Sequence, residues 1–424
     1  MKARIISSFI KLSSITVGFI INFYLASILD KNDFGIFSVI VSLFSLCLIF
    51  SNMGISFSII DIFPKAKTKH NLILLHKKIM FFSIMSSVVV GIIAASYAYL
   101  TNITSSNINY LLLSVTFILI IYFQNIHSSN IAILRSLQSF RSALFLESIL
   151  FNLVLIIAIY FLFICLNVNL IFSFVLAAFS TYLLSSLLAS YKIKRFEDLE
   201  NNEVSTNNLE LNLVNLFPFM LLGLVEVITT NLDVLLVRHF FGNEQTADYF
   251  LAKKMLIVFT FFWFLYNFIY TPKLSKLFTN IDNIDHVKVV KILKLKWPVL
   301  IISTICMLII NVLFEDLISI FNLVQYTDAK PYVELFSLFA FIHILTGPVV
   351  SFLNVTGLSG YSFKVVSFGA IVFILTFYPL QNHYGIIGIL FALNLSLLAW
   401  KVLGIFIIRK TTGFNLLIGS YINE

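Results

Sequence analysis

Glu226 and Asp233 lie seven residues apart within the apolar run LVEVITTNLDVLLVRHF, residues 224–240. Seven residues make nearly two helical turns, so the two carboxylates share one helix face with Thr230 between them. A charged side chain at the centre of a membrane helix costs roughly 2.5–3.5 kcal/mol, and each large apolar residue returns only about 0.3–0.6 kcal/mol. Acids at such depth are kept where a helix faces a protein interior or a hydrated path. The chemistry open to them is reversible protonation, sodium binding or hydrogen bonding to a polar cargo. The structural alternative is an interhelical polar contact. At a rise of about 1.5 Å per residue, Glu226 lies roughly 21 Å and Asp233 roughly 10 Å below the outer end of the helix.

The chain around them is made for lipid. Of its 424 residues, 59% are hydrophobic and 11% charged, against roughly 25% charged in a soluble protein. The net charge of +8 does not point to nucleic acid, because the basic residues are spaced between apolar runs. Cys47, Cys165 and Cys306 all sit inside such runs, with no metal-ligand spacing and no disulfide framework. No HExxH and no glycine-rich phosphate loop occur, so neither a zinc hydrolase nor an ATPase is expected, and no cofactor.

Crossing about 30 Å of hydrocarbon takes roughly 20 apolar residues. Hydropathy predicts twelve such helices, near 5–29, 34–62, 79–100, 109–134, 143–166, 168–191, 213–240, 247–271, 297–319, 332–356, 362–380 and 384–408. The first is read as an uncleaved span, since Lys11 interrupts it and no small-residue cleavage site follows. With the N-terminus inside, Lys and Arg divide 23 to 5 in favour of the cytoplasm, which places both termini there. The hydrophilic segment 192–212 reads as a cytoplasmic linker between a six-helix lobe, 1–191, and a second, 213–424. In 273–296 the stretch DHVKVVKILKLKW suggests an amphipathic helix on an anionic leaflet. The halves echo each other: Asp33-Phe34 and Asp248-Tyr249 each open a helix, and Pro64-Lys65 and Pro272-Lys273 each close one. Internal repeats around a central site are a transporter trait.

Several of these segments, NFYLASILDKNDFGIFSVIVSLFSLCLIFSNMGIS, AILRSLQSF, the acid in 224–240, ADYFLAKKM with YTPKLSKL, and YGIIGILFALNLS, resemble bacterial polysaccharide exporters. These are the O-antigen and repeat-unit flippases of the multidrug/oligosaccharidyl-lipid/polysaccharide exporter superfamily. The resemblance runs from about residue 4 to 408. It implies an all-α integral membrane protein of two six-helix lobes in a V, with a central cleft lined by helices one, two, seven and eight. The implied cargo is an oligosaccharide on undecaprenyl diphosphate, turned from the cytoplasmic to the periplasmic leaflet of the bacterial inner membrane. Implied partners are membrane lipids and the polysaccharide polymerase and chain-length machinery.

A diphosphate needs cations along its path. Arg4, Lys11, Ser14, Gly18 and Asn22 form a stripe up the first helix. Lys11 is the inner candidate, with snorkelling to the interface as its alternative. Lys253 and Lys254 serve from the outer side; adjacent positions point about 100° apart, so one of the two faces the cleft, and the resemblance favours Lys254. The candidate cleft residues are therefore Lys11, Asn22, Glu226, Asp233, Lys253 and Lys254. Arg238 and Lys401 are read as interfacial, His343 as a hydrogen-bonded packing residue beside a Gly347-Pro348 kink, and Gln124, Asn125, His127 and Ser128 as a structural polar face. Energy would come from a proton or sodium gradient or from consumption of the product. The rivals are a cation-coupled drug exporter of the same superfamily and an O-antigen polymerase; the latter carries a large periplasmic loop, whereas every long loop here is cytoplasmic.

Overall fold

The computed structural model describes residues 17–52, 55–56, 59, 69–101, 109–136, 140–146, 150–166, 170–194, 231–278 and 285–421. Apart from one short hairpin, the described secondary structure is helical. That is what lipid demands, because a helix satisfies its own backbone hydrogen bonds. Eight of these helices are long and apolar enough to cross a membrane, or nine if one bent pair is a single span. The chain is thus a multi-pass membrane protein. The sequence predicts twelve spans; among the described residues the remainder are shorter or broken helices.

The chain forms two compact units. The first comprises Met1–Ile21 and Ile36–Val227. Its described helices are the start of α1 (Val17–Ile28), most of α2 (Lys31–Asn52), then α3 (Lys69–Leu100), α4 (Tyr110–Ser136), α5 (Phe140–Phe145), α6 (Phe151–Ala158) and α7 (Leu170–Lys194). A π-helical stretch, Ile159–Cys165, continues α6. Helix α4 packs against both α3 and α7. Phe44 lies between Phe117 and Phe174, at ring-centroid distances of 5.1 and 5.7 Å. Outward-facing side chains such as Phe81, Val89, Ile93 and Leu111 are exposed and apolar, the surface a bilayer covers.

Neutral polar groups tie this unit together. Asn125 Nδ2 donates to Ser51 Oγ at 2.9 Å, and Asn52 Nδ2 donates to Asn125 Oδ1 at 2.9 Å. Ser56 and Ser128 share a hydrogen bond of 3.0 Å, and His127 Nδ1 lies 3.2 Å from the Thr181 carbonyl. The polar face of the fourth predicted helix is therefore an interhelical seam, as Ser and Asn side chains commonly make within membranes.

The second unit comprises Asn22–Gly35 and Ile228–Glu424. After α8, residues 231–241, come α9 (Asn243–Phe259), α10 (Phe261–Leu277), α11 (His286–Lys294), α12 (Lys296–Val312) and α13 (Phe314–Ile320). A 3-10 turn, Val324–Ala329, leads to α14 (Lys330–Leu345), α15 (Val349–Val355), α16 (Ser359–Tyr384) and α17 (Ile386–Thr412). Helices α9 and α10 meet at 47°. The segment 22–35 is seated by aromatic contacts: Phe23 meets Phe321, and Phe34 meets Phe250 and Tyr326, each at 5.8 Å. At Gly35 a Cβ would collide with the carbonyl of Asn243.

Between α14 and α15 the chain breaks at Gly347, whose φ of +82° suits only glycine, and at Pro348. The break frees carbonyls, and two lysines cap them. Lys401 Nζ donates to Gly347 O at 2.8 Å, and Lys296 Nζ donates to Leu345 O at 2.8 Å and to Leu416 O at 2.5 Å. The expectation that Lys401 reaches the interface is thereby corrected, since the residue is 1% exposed. Orphaned carbonyls inside the unit need a donor more than the ammonium needs water.

After α17 the chain forms a hairpin, β1 (Phe414–Asn415) paired antiparallel with β2 (Ser420–Tyr421), which the sequence does not announce. Phe414 and Leu416 are buried in the core with Phe278, Val349, Phe352 and Val365.

Candidate functional site

The densest polar cluster on α8 and α9 is built around Asp233. Gly242, at φ +88°, makes the tight turn between these helices and so returns α9 alongside α8. Asp233 is 1% exposed, yet both its oxygens are occupied. Lys253 Nζ donates to Oδ1 at 2.6 Å and to Oδ2 at 2.7 Å, and Tyr249 Oη donates to Oδ2 at 2.6 Å. Tyr249 and Lys253 are four residues apart, so one face of α9 delivers both donors. The Tyr249 ring is fixed in turn by Phe336 of α14, at 5.4 Å and edge-on. A buried carboxylate persists only when its charge is paired and its lone pairs are filled; this one has both.

Lys254 points elsewhere. Its ammonium lies 4.2 Å from the centroid of the Phe250 ring, a cation–π contact. It is half-buried and has no carboxylate partner among the described residues. The two lysines therefore differ in kind: the charge of Lys253 is matched by Asp233, while that of Lys254 is left in excess. Attraction to an anion comes from the second.

A second ion pair stands one residue before Tyr249. Lys31 Nζ lies 2.9 Å from Asp248 Oδ2 and 3.9 Å from Asp328 Oδ2. Beside it, Asn243 Nδ2 donates to Asn32 Oδ1 at 2.8 Å. The openings of the two echoed motifs thus meet within the second unit. Lys31 and Tyr249 join the polar cluster although neither is among the candidate cleft residues; Tyr249 is marked in the sequence by the acidic-aromatic pair, Lys31 by nothing.

Of the other candidates, Asn22 is half-buried on α1 and belongs to the second unit. Lys11 and Glu226 lie outside the described residues, so the pairing of Glu226 with Asp233 on one face is not described. His343 packs as expected, edge-on to Trp263 at 5.9 Å, but its Nδ1 has no hydrogen-bond partner among the described residues. No group of three or more His, Cys, Asp or Glu side chains among the described residues could hold a metal ion.

Known proteins give the same direction. A family model described as polysaccharide biosynthesis protein matches residues 2–278. No curated protein matches the chain in sequence. Among solved structures, the lipid II flippase MurJ in an inward closed conformation superposes with a TM-score of 0.65 at 15% identity, covering 96% of this chain and 87% of that one. An inward-facing multidrug resistance MATE family transporter of the MOP superfamily gives 0.61 at 12% identity, covering 96% and 99%. A MATE mutant gives 0.63 at 13% identity, covering 96% and 95%. At these identities the likeness is one of fold.

Proposed function

The chain belongs to the polysaccharide biosynthesis protein family and has the fold of the MOP-superfamily transporters, and from that premise we propose that it flips a lipid-linked oligosaccharide. The cargo in this reading is an undecaprenyl-diphosphate-linked repeat unit of an O-antigen or similar surface polysaccharide, carried from the cytoplasmic to the periplasmic leaflet. The protein is a transporter and not an enzyme: it moves its substrate without changing a covalent bond.

The observation that carries the reading is the excess cation at Lys254, beside an internally neutralised Asp233–Lys253 pair. A diphosphate is drawn by net positive charge, and a drug cation is not. Lys254 would meet the diphosphate first. Lys253 would then divide its hydrogen bonds between Asp233 and the incoming phosphate oxygens, so the pair acts as an exchangeable latch. Protonation of Asp233, or a sodium ion taken from the gradient, would free Lys253 for the cargo, and loss of that proton or ion would return it. Lys11 and Asn22 would extend the path along the first helix, and Glu226 would supply a second, deeper carboxylate. The lobes would be 1–191 and 213–424, joined by 192–212 with both termini cytoplasmic, rocking about a central cleft while the polyprenyl tail stays in lipid.

The MATE likeness keeps a cation-coupled drug exporter as the rival. Expression in a bacterium lacking its own repeat-unit flippase separates the two. Restored surface polysaccharide, lost again in Lys254→Ala, supports the flippase. Drug resistance without restored polysaccharide would replace it with the exporter.

A further inference from the structure

Helix α11 and the C-terminal hairpin are far apart in sequence but are built as one piece. Val289 and Leu293 of α11 are fully buried in the same core as Phe414 and Leu416 of the hairpin. The His286 ring stacks on Tyr421, with centroids 4.0 Å apart and planes 21° from parallel. Gly419 approaches the backbone of Lys294 so closely that a Cβ there would lie 3.2 Å from its nitrogen. Asp285 caps the start of α11 by accepting from the Lys288 N–H at 3.0 Å. The piece is fixed at both ends.

What it presents outward has a definite chemistry. Lys288, Lys291 and Lys294 are exposed and follow one another at three-residue spacing, on the side of α11 away from Val289 and Leu293. Asp285 pairs with Lys288 at 2.8 Å, whereas Lys291 and Lys294 have no carboxylate partner among the described residues. Around these ammoniums stand apolar side chains with no core to enter: Val287, Leu295 and Trp297 at the ends of α11, and Leu417 and Ile418, 40% and 60% exposed, at the hairpin tip. Unpaired lysines interleaved with exposed aliphatic and indole groups suit the headgroup layer, where anionic phosphates meet the upper acyl chains.

We propose that α11 and the C-terminal hairpin form a composite plate that binds anionic phospholipid, with Lys291 and Lys294 on the phosphates and Leu417, Ile418 and Trp297 dipping below them. A zwitterionic lipid offers the apolar half of that fit and not the charged half. The plate also adjoins the helix break: Lys296, the first residue of α12, donates to Leu345 O at the break and to Leu416 O in the hairpin. Lipid held on the plate therefore steadies the segment from which Lys296 reaches the break.

Trp297 provides the probe. The full chain is reconstituted in vesicles over a matched series of mole fractions of brominated phosphatidylglycerol or brominated phosphatidylcholine, and the Trp297 signal is the difference from Trp297→Phe. Each lysine near an anionic surface contributes about a fivefold preference, so brominated phosphatidylglycerol should quench at severalfold lower mole fraction. Lys291→Gln/Lys294→Gln should abolish that preference, and Lys291→Arg/Lys294→Arg should retain it. Equal quenching by the two lipids, or a preference that survives the glutamine pair, overturns the proposal and leaves the plate as a protein-docking surface. Transport enters none of these readings, so they stand or fall apart from the flippase assignment.

Discussion

Lys253 holds both oxygens of Asp233, at 2.6 and 2.7 Å, across the Gly242 turn. Removing one partner leaves the other as an uncompensated buried charge, a loss of about 3–5 kcal/mol. Asp233→Asn and Lys253→Met should each lower the thermal unfolding midpoint of the purified protein sharply. The double variant Asp233→Asn/Lys253→Met should recover most of that loss, because no charge is stranded. If the pair is also an exchangeable latch, the recovered double variant will still transport poorly. A double variant with full stability and full transport would reduce the pair to a brace.

Lys254 is predicted to separate from its neighbour. Lys254→Ala removes one cation–π contact, worth about 0.5–1 kcal/mol at a partly exposed site, so the protein should insert and unfold almost as before. Surface polysaccharide should nevertheless fall, with Lys254→Arg retaining part of the activity because positive charge is what a diphosphate requires. Normal polymer in the alanine variant at native expression would remove the excess-cation argument.

Gly35 tests the seating of 22–35 in the second unit. The colliding atom is the Asn243 backbone carbonyl, which cannot rotate away as a side chain would. Overpacking of this kind costs about 1–3 kcal/mol, so Gly35→Ala should destabilise although alanine is the better helix former. A stabilised alanine variant, read by thermal unfolding, would show that the backbones at Gly35 and Asn243 are not in close contact.

Glu315 gives a pH dependence with a defined sign. Lys330 donates to its carboxylate at 2.6 Å, and that hydrogen bond, with the lysine charge, holds the Glu315 carboxyl below its ordinary 4.5. A depressed folded value means the contribution is present above the unfolded value and is lost as pH falls through the folded one. The unfolding midpoint should thus decline on acidification below the usual glutamate range, and Glu315→Gln should flatten that part of the profile. Both side chains are solvent-exposed, so the effect is small.

Membrane helices announce themselves because lipid forces them to be apolar on most faces; hence α4, α7, α16 and α17 lie where hydropathy predicts them, while α3 starts at Lys69, ahead of the expected 79. The partner of Asp233 was harder to read. Lys253 is 20 residues away, beyond a glycine turn, and no periodicity links the two. The fate of Lys401 was hidden for a similar reason. Gly347-Pro348 signals a kink, but which donors would cap its freed carbonyls depends on α12 and α17 arriving at that point. The hairpin leaves no mark in the sequence because each strand is two residues long, too short for any alternation to show.

The most direct measurement uses the purified protein in vesicles loaded in one leaflet with an undecaprenyl-diphosphate-linked oligosaccharide. Access of a membrane-impermeant sugar-oxidising reagent then reports transfer to the other leaflet. The account predicts transfer well above protein-free vesicles, slowed in Lys254→Ala and in the double variant Asp233→Asn/Lys253→Met, and responsive to an imposed proton or sodium gradient. Glu226→Gln should keep the protein inserted and abolish that response. A rate equal to that of protein-free vesicles, from protein that unfolds normally and moves an organic drug cation instead, would contradict the account.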